Sequence, residues 1–244
     1  EEELGAPFVQ RLIDRCKAHM YRGERDESRK AGERAVELAS FRDDPAQEVE
    51  ALSALSYTLA FSGSAGRAVE LMARAVHLAE AAPPARRAEA VANQAVVLHA
   101  HGDLEGAERA YQRGLALRLE ANGEDAPILA KSYGDLARLY ADQRRPFAEV
   151  RAMIERGIDV LARYLATHDA TAEDWIEAIS DRSTLEVNLA IDLSGAEAWA
   201  ECLQMLEAAA STFEAAALHA RPSPSVLESA QRLAEKLGAT LGDE

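Results

Sequence analysis

The side chains that could do chemistry in this chain are few and scattered. Cys16-Lys-Ala-His19 and His99-Ala-His101 are the pairs with metal-like spacing, since a thiolate or imidazole a few residues apart can share one ion. A zinc site needs three or four converging ligands, and nothing nearby completes either set, so both pairs read as packing or solvent-facing residues. Neither Cys16 nor Cys202 sits in a motif that marks a nucleophile; both fall where helix packing asks for a small apolar side chain. Gly-rich phosphate loops, His-Glu-x-x-His and Gly-x-Ser-x-Gly do not occur in the sequence. The scattered aspartates and glutamates read as solvated charge on helix surfaces. The expectation is a non-enzymatic protein with no catalytic residue, no metal and no cofactor.

Composition narrows the partners. The formal net charge is −15, distributed along the chain, which opposes non-specific attraction to DNA, RNA or anionic lipid. Neither nucleic acid nor membrane is therefore an expected partner. No apolar run approaches the roughly 18 residues that suggest a spanning helix, and Glu1-Glu2-Glu3 is the reverse of a secretory leader's basic start. A cytoplasmic location is expected. Two cysteines far apart in sequence argue against a disulfide and agree with a reducing compartment. The 51 alanines favour helix, and 23 of the 27 basic residues are arginine, which points to a GC-rich bacterial genome. The missing initiator methionine suggests processing or an excerpt from a longer protein.

A recurring spacing organises the rest. Gly-x₄-Ala-x₆-Ala/Gly occurs at Gly63, Ala68, Ala75 and at Gly102, Ala107, Gly114, with a degenerate copy at Gly23, Ser28, Ala35. The three glycines lie 40 and 39 residues apart, a period characteristic of stacked repeats. Two helices flank Tyr21-Arg22-Gly23, the second striped by Ala31, Ala35 and Leu38. Asp43-Asp44-Pro45 reads as the cap and first turn of the next helix. Leu52, Leu55, Leu59 and then Val69, Met72, Val76 are each spaced for a single buried face. Pro83-Pro84 stops that pair. Val91, Ala95 and Leu98 lead to the turn His101-Gly102-Asp103, and the chain returns through Ala107, Tyr111 and Leu115.

Asn122-Gly123 and Pro127 introduce a fourth pair, whose turn Arg144-Arg145-Pro146 lacks glycine and carries one extra residue before Ile154, Ile158 and Leu161. A fifth, divergent pair holds Trp175, Leu185, Leu189 and Leu193 before the turn and Trp199, Cys202 and Leu206 after it, the tryptophans reading as packing residues. Arg221-Pro-Ser-Pro224 precedes a last short amphipathic helix. No stretch alternates at period two for long enough to form a strand. The expected repeats span 9–42, 45–82, 86–122, 127–168 and 173–220 of one domain, 1–244, and a capping helix at 224–238 covers the final apolar face.

In register, Asn93-Gln-Ala95 through Gly102 to Tyr111 and Gly114, Asp135-Leu-Ala-x-x-Tyr140 and Asn188-Leu-Ala190 resemble the tetratricopeptide repeat, in particular the longer variant of kinesin light chains and many bacterial signalling proteins. The resemblance runs from about Leu12 to Phe213. It implies an all-α fold, a right-handed α-solenoid of about five helix pairs plus the capping helix. Small residues such as Ala68, Ala75, Ala107 and Gly114 belong where two helices cross closely. Three positions depart from the pattern: Ser28 for the first alanine, Arg144 for the turn glycine of the fourth unit, and Glu197 in the fifth.

The resemblance also implies a function, because in such arrays the first helices of the pairs line a groove that takes up peptides or partner helices. Carried over residue by residue, that face holds Lys17, Met20 and Tyr21, then Tyr57 and Phe61, then Asn93, Val96 and His99, then Asp135, Arg138 and Asp142, and last Asn188 and Ile191. Packing between repeats is the competing role for Tyr57 and Phe61. Arg74 and Arg113 fall on the outer face. Relatives that hold acidic chaperone tails carry paired Lys, Asn and Arg residues there, whereas Lys17, Asn93, Lys131 and Arg138 lie on three repeats among Asp135 and Asp142, which speaks against such a clamp. The expected function is a protein–protein interaction module binding a protein or peptide partner. The alternatives are a regulatory or sensor domain of a larger signalling protein, whose protease or ATPase part lies outside this chain, and a self-assembling scaffold. The sequence leaves the oligomeric state open.

Overall fold

Break residues decide where each helix stops. A computed structural model of the chain describes residues 5–168, 175–195, 201, 204, 205 and 207–212. Among these, every regular element is helical: α1 Ala6–Tyr21, α2 Arg25–Phe41, α3 Pro45–Ala60, α4 Ala65–Ala79, α5 Pro84–His101, α6 Leu104–Asn122, α7 Ile128–Asp142, α8 Phe147–Thr167 and α9 Trp175–Gly195. The Asp44 carboxylate caps α3 by accepting the Gln47 N–H at 3.1 Å, and Pro45 takes the first helical position. Gly102 closes α5 in the left-handed region at φ +89°, and Gly23 and Gly63 do the same after α1 and α3. The turn without glycine keeps this geometry, since Arg144 sits at φ +56° between α7 and α8. The left-handed residue is thus a requirement of the turn, met here by a side chain that resists it.

The chain divides into two compact units, Glu1–Ala121 and Asn122–Glu244. In the first, α2 packs on α1 and α3, and α4 on α3 and α5, while the first helices contact one another as α1 with α3 and α3 with α5. In the second, α8 packs on α7 and α9, and α7 touches α9. Residues 207–212 are helical, and the Thr212 hydroxyl donates at 2.9 Å to the buried carboxylate of Glu186, which also accepts from Arg182 at 2.8 Å. The expected capping helix at 224–238, together with Trp199, Cys202 and Leu206, lies outside the described residues.

The small-residue positions carry the crossings. Ala68, Ala75 and Ala107 are completely buried, and a Cβ on Gly114 would reach the Ala92 backbone nitrogen at 3.4 Å. Val150 and Gly157 take the equivalent places after the longer fourth turn. A Cβ on Gly157 would stand 2.8 Å from Leu185 Cδ1 and 3.3 Å from the Ala130 carbonyl oxygen. Ser28 is as buried as the alanines it replaces because its hydroxyl is satisfied: it donates to the Cys16 carbonyl at 2.8 Å and lies 2.7 Å from Thr58 Oγ1.

One expectation needs correction. The α3 helix does not bury a single face: Ala51, Ser53, Ala54 and Ser56 are buried along with Leu52, Leu55 and Leu59, because α1, α2, α4 and α5 all pack around it. Arg74 is exposed on α4 and reaches back to the first turn of α3, where it pairs with Glu48, whose side chain is only 9% exposed.

Candidate functional site

In the first unit the expected groove residues lie on α1, on α3 and its C-cap residue Phe61, and on α5, the helices that succeed one another along one side of the pairs. Lys17 on α1 donates at 2.7 Å to Glu50 on α3, and Gln10 reaches the same carboxylate at 3.1 Å. Partial burial pushes the Glu50 carboxyl up, but the hydrogen bonds from Lys17 and Gln10 and the charges of Lys17 and Arg86 outweigh it, so the group sits below its ordinary value. One repeat further, Tyr57 stacks on Phe61 with ring centroids 6.4 Å apart, and its hydroxyl donates to Asn93 Oδ1 on α5 at 3.2 Å. Phe61 remains half exposed. His99 meets the ring of Tyr111 edge-on at 6.3 Å, Met20 and Val96 are half-buried, and Tyr21 is exposed. The structure therefore joins Tyr57, Phe61 and Asn93 into one cluster, and ties Lys17 to Glu50.

In the second unit α7 and α9 border a cleft of about 570 Å³. Its floor is apolar, formed by Ala137 of α7, Ile154 of α8 and Leu185 of α9, all nearly inaccessible to solvent. One wall is α7, presenting Lys131, Asp135 and Arg138; Arg138 donates to Asp135 at 3.0 Å. The other wall is α9, presenting Glu177, Asp181, Asn188 and Asp192. Burial lifts the Asp181 carboxyl above its ordinary value, with Glu177 adding to the effect and Lys131 opposing it, and burial alone lifts Asp192. Asp135, Arg138 and Asn188, expected on the groove face from sequence, come together here, with Ile191 beside them.

The Cys16 and His19 pair is engaged otherwise. Cys16 Sγ is buried 3.5 Å from Ser28 Oγ and 3.6 Å from Thr58 Oγ1, while His19 Nδ1 turns away to Glu24. Among the described residues no three His, Cys, Asp or Glu side chains gather as metal ligands do, and no helix is long and apolar enough to cross a membrane.

No family model and no curated protein matches the sequence. Solved structures do match in fold. BtubC (BKLC) from P. vanneervenii aligns with a TM-score of 0.69 at 19% identity, over 89% of this chain and 84% of that one. Nearly identical kinesin-light-chain TPR-like repeats from Podosopora anserina align with a TM-score of 0.57 at 14% identity, over 84% and 94% of the two chains. The fold is that of tetratricopeptide-type helical repeats. A Rap protein complexed with competence and sporulation factor also aligns, with a TM-score of 0.60 at 15% identity, over 95% of this chain and 65% of that one. At these identities the likeness establishes the tetratricopeptide architecture and nothing finer.

Within that architecture, sequence reasoning missed most of the α9 wall. Glu177, Asp181, Thr184, Asn188 and Ile191 recur at helical spacing and so share a face. That periodicity was the available signal, but polar residues on a helix ordinarily mark the solvent side, and only the position of α7 turns this face into a cleft wall.

Proposed function

We propose that this chain is a non-enzymatic binding module that takes a peptide or partner helix on the faces of its first helices, α1, α3 and α5 in one unit and α7 and α9 in the other. The observation that carries the reading is the α7–α9 cleft, where an apolar floor is walled by Asp135, Arg138 and Asn188, the combination of shape-filling and orienting groups that ligand sites use. The Tyr57, Phe61 and Asn93 cluster offers a second anchor of the same kind, a half-exposed aromatic pair beside an amide. We place the protein in the cytoplasm, in keeping with its two widely separated cysteines, and its net charge of −15 supports a protein or peptide partner rather than nucleic acid or membrane.

The test is a quantitative pull-down from the source organism with three forms of the chain. Tyr57→Ala with Asn93→Ala should reduce capture of a specific partner roughly tenfold or more, with helical content and melting largely intact. Arg109→Ala with Arg113→Ala, both exposed on α6, should leave capture unchanged. The reverse pattern would move the site to the second helices and sink the assignment.

A further inference from the structure

The α7–α9 cleft is unbalanced in charge. Among the described residues its lining holds four carboxylates, Asp135, Glu177, Asp181 and Asp192, against two cations, Lys131 and Arg138. Arg138 is already bound to Asp135, so the excess negative charge falls on α9. Asp181 and Asp192 are half-buried, and that burial holds both carboxyls above their ordinary values. A carboxylate kept charged in such a place is poorly solvated, and a cation brought by a ligand restores what water does not supply. The two aspartates are eleven residues apart on one helix, about 16 Å of rise, a span suited to a length of peptide rather than to one ion. The same cleft holds the apolar side chains of Ala137, Ile154 and Leu185, against which the aliphatic stem of a long basic side chain can rest.

We infer that the α7–α9 cleft binds a partner peptide segment bearing lysine or arginine, with the stems of those side chains on the apolar floor and their charged heads at Asp181 and Asp192. The inference rests on the groove reading above and adds the chemistry of what fills the groove. An acidic segment would meet the excess carboxylates and be repelled, and the same excess opposes a nucleic acid.

The test is selection of a phage-displayed random-peptide library on the full chain, followed by fluorescence anisotropy with one enriched peptide. Lysine and arginine should be enriched. Asp181→Asn with Asp192→Asn should weaken binding roughly tenfold or more, replacing the peptide's basic residues by norleucine should do the same, and the two changes together should cost no more than either alone. The asparagines remove charges that the fold holds unfavourably, so the variant should melt no lower than the parent, which separates lost binding from lost folding. Enriched peptides that are neutral or acidic, or that bind the Asp181→Asn, Asp192→Asn variant as tightly, overturn the basic-segment inference while the groove reading stands, provided Asn188→Ala weakens them. Failure of the parent to enrich any peptide, or peptides indifferent to Asn188→Ala and to Tyr57→Ala alike, overturns both.

Discussion

The Tyr57 hydroxyl donates to the Asn93 side-chain oxygen at 3.2 Å, linking α3 to α5 across a repeat boundary. The bond fixes the orientation of an amide and of an aromatic ring that also stacks on Phe61. Such an arrangement is preorganised, with little side-chain freedom left to lose in the binding proposed for this face. The Tyr57 hydroxyl thus contacts the neighbouring repeat, while Phe61 keeps about half its surface in water.

The crossing of α3 and α4 leaves no room at Ala75, which is completely buried within the cluster of Leu52, Leu55, Leu59 and Met72. Ala75→Leu should overpack this site and lower stability by about 1–3 kcal/mol. Thermal unfolding followed by circular dichroism reads the effect, and a variant that melts with the parent would show that the crossing is looser than described.

Arg144 should gain from the opposite kind of change. It is an exposed residue held at φ +56°, where an L side chain is strained and glycine is not. Arg144→Gly should therefore raise stability by up to about 1 kcal/mol, whereas Gly102→Ala, at φ +89°, should lower it. A loss of stability on Arg144→Gly would mean that the arginine side chain contributes more than its backbone costs.

Two carboxyl groups should give stability opposite pH dependences. The folded value of Glu50 is depressed below 4.5, so its contribution is present above the unfolded value and is lost as pH falls through the folded one. Asp192 is raised above 3.8, so its charge destabilises the fold above the folded value and that penalty fades as the group protonates. Relative to the parent, Glu50→Gln should lose stability at pH 7 and lose less of it as pH falls through the carboxylate range. Asp192→Asn should gain at pH 7, and its gain should shrink over the same interval. Chemical denaturation of each variant across that range checks both signs, and parallel curves for the two would contradict the electrostatic account.

Much of the fold was legible because its signals are local. Gly23, Gly63 and Gly102 mark turns by a backbone need that is written in the residue type, and Asp44-Pro45 announces a helix start in the same way. What the sequence withheld depends on neighbours far along the chain. Arg144 looked like a lost turn signal, since residue type alone does not reveal a left-handed conformation imposed by the turn. Ser28 looked like a degenerate alanine until Cys16 and Thr58 were seen to satisfy its hydroxyl. Arg74 is solvent-facing as its position suggested, but its pairing with Glu48, 26 residues away, was not legible. On the site, the tetratricopeptide resemblance put Asp135 and Arg138 on the groove face, but the acidic α9 wall opposite them became visible only once α7 and α9 were side by side.

The central claim, that partners bind on the first-helix faces, is tested most directly by photo-crosslinking. A benzophenone side chain placed at Phe61, at Ile191 or, as a control, at Arg113 on α6 would be irradiated with the captured partner present, and the crosslinked product identified by mass spectrometry. The account predicts crosslinks from positions 61 and 191 and none from 113. Crosslinks from 113 with none from 61 or 191 would contradict it.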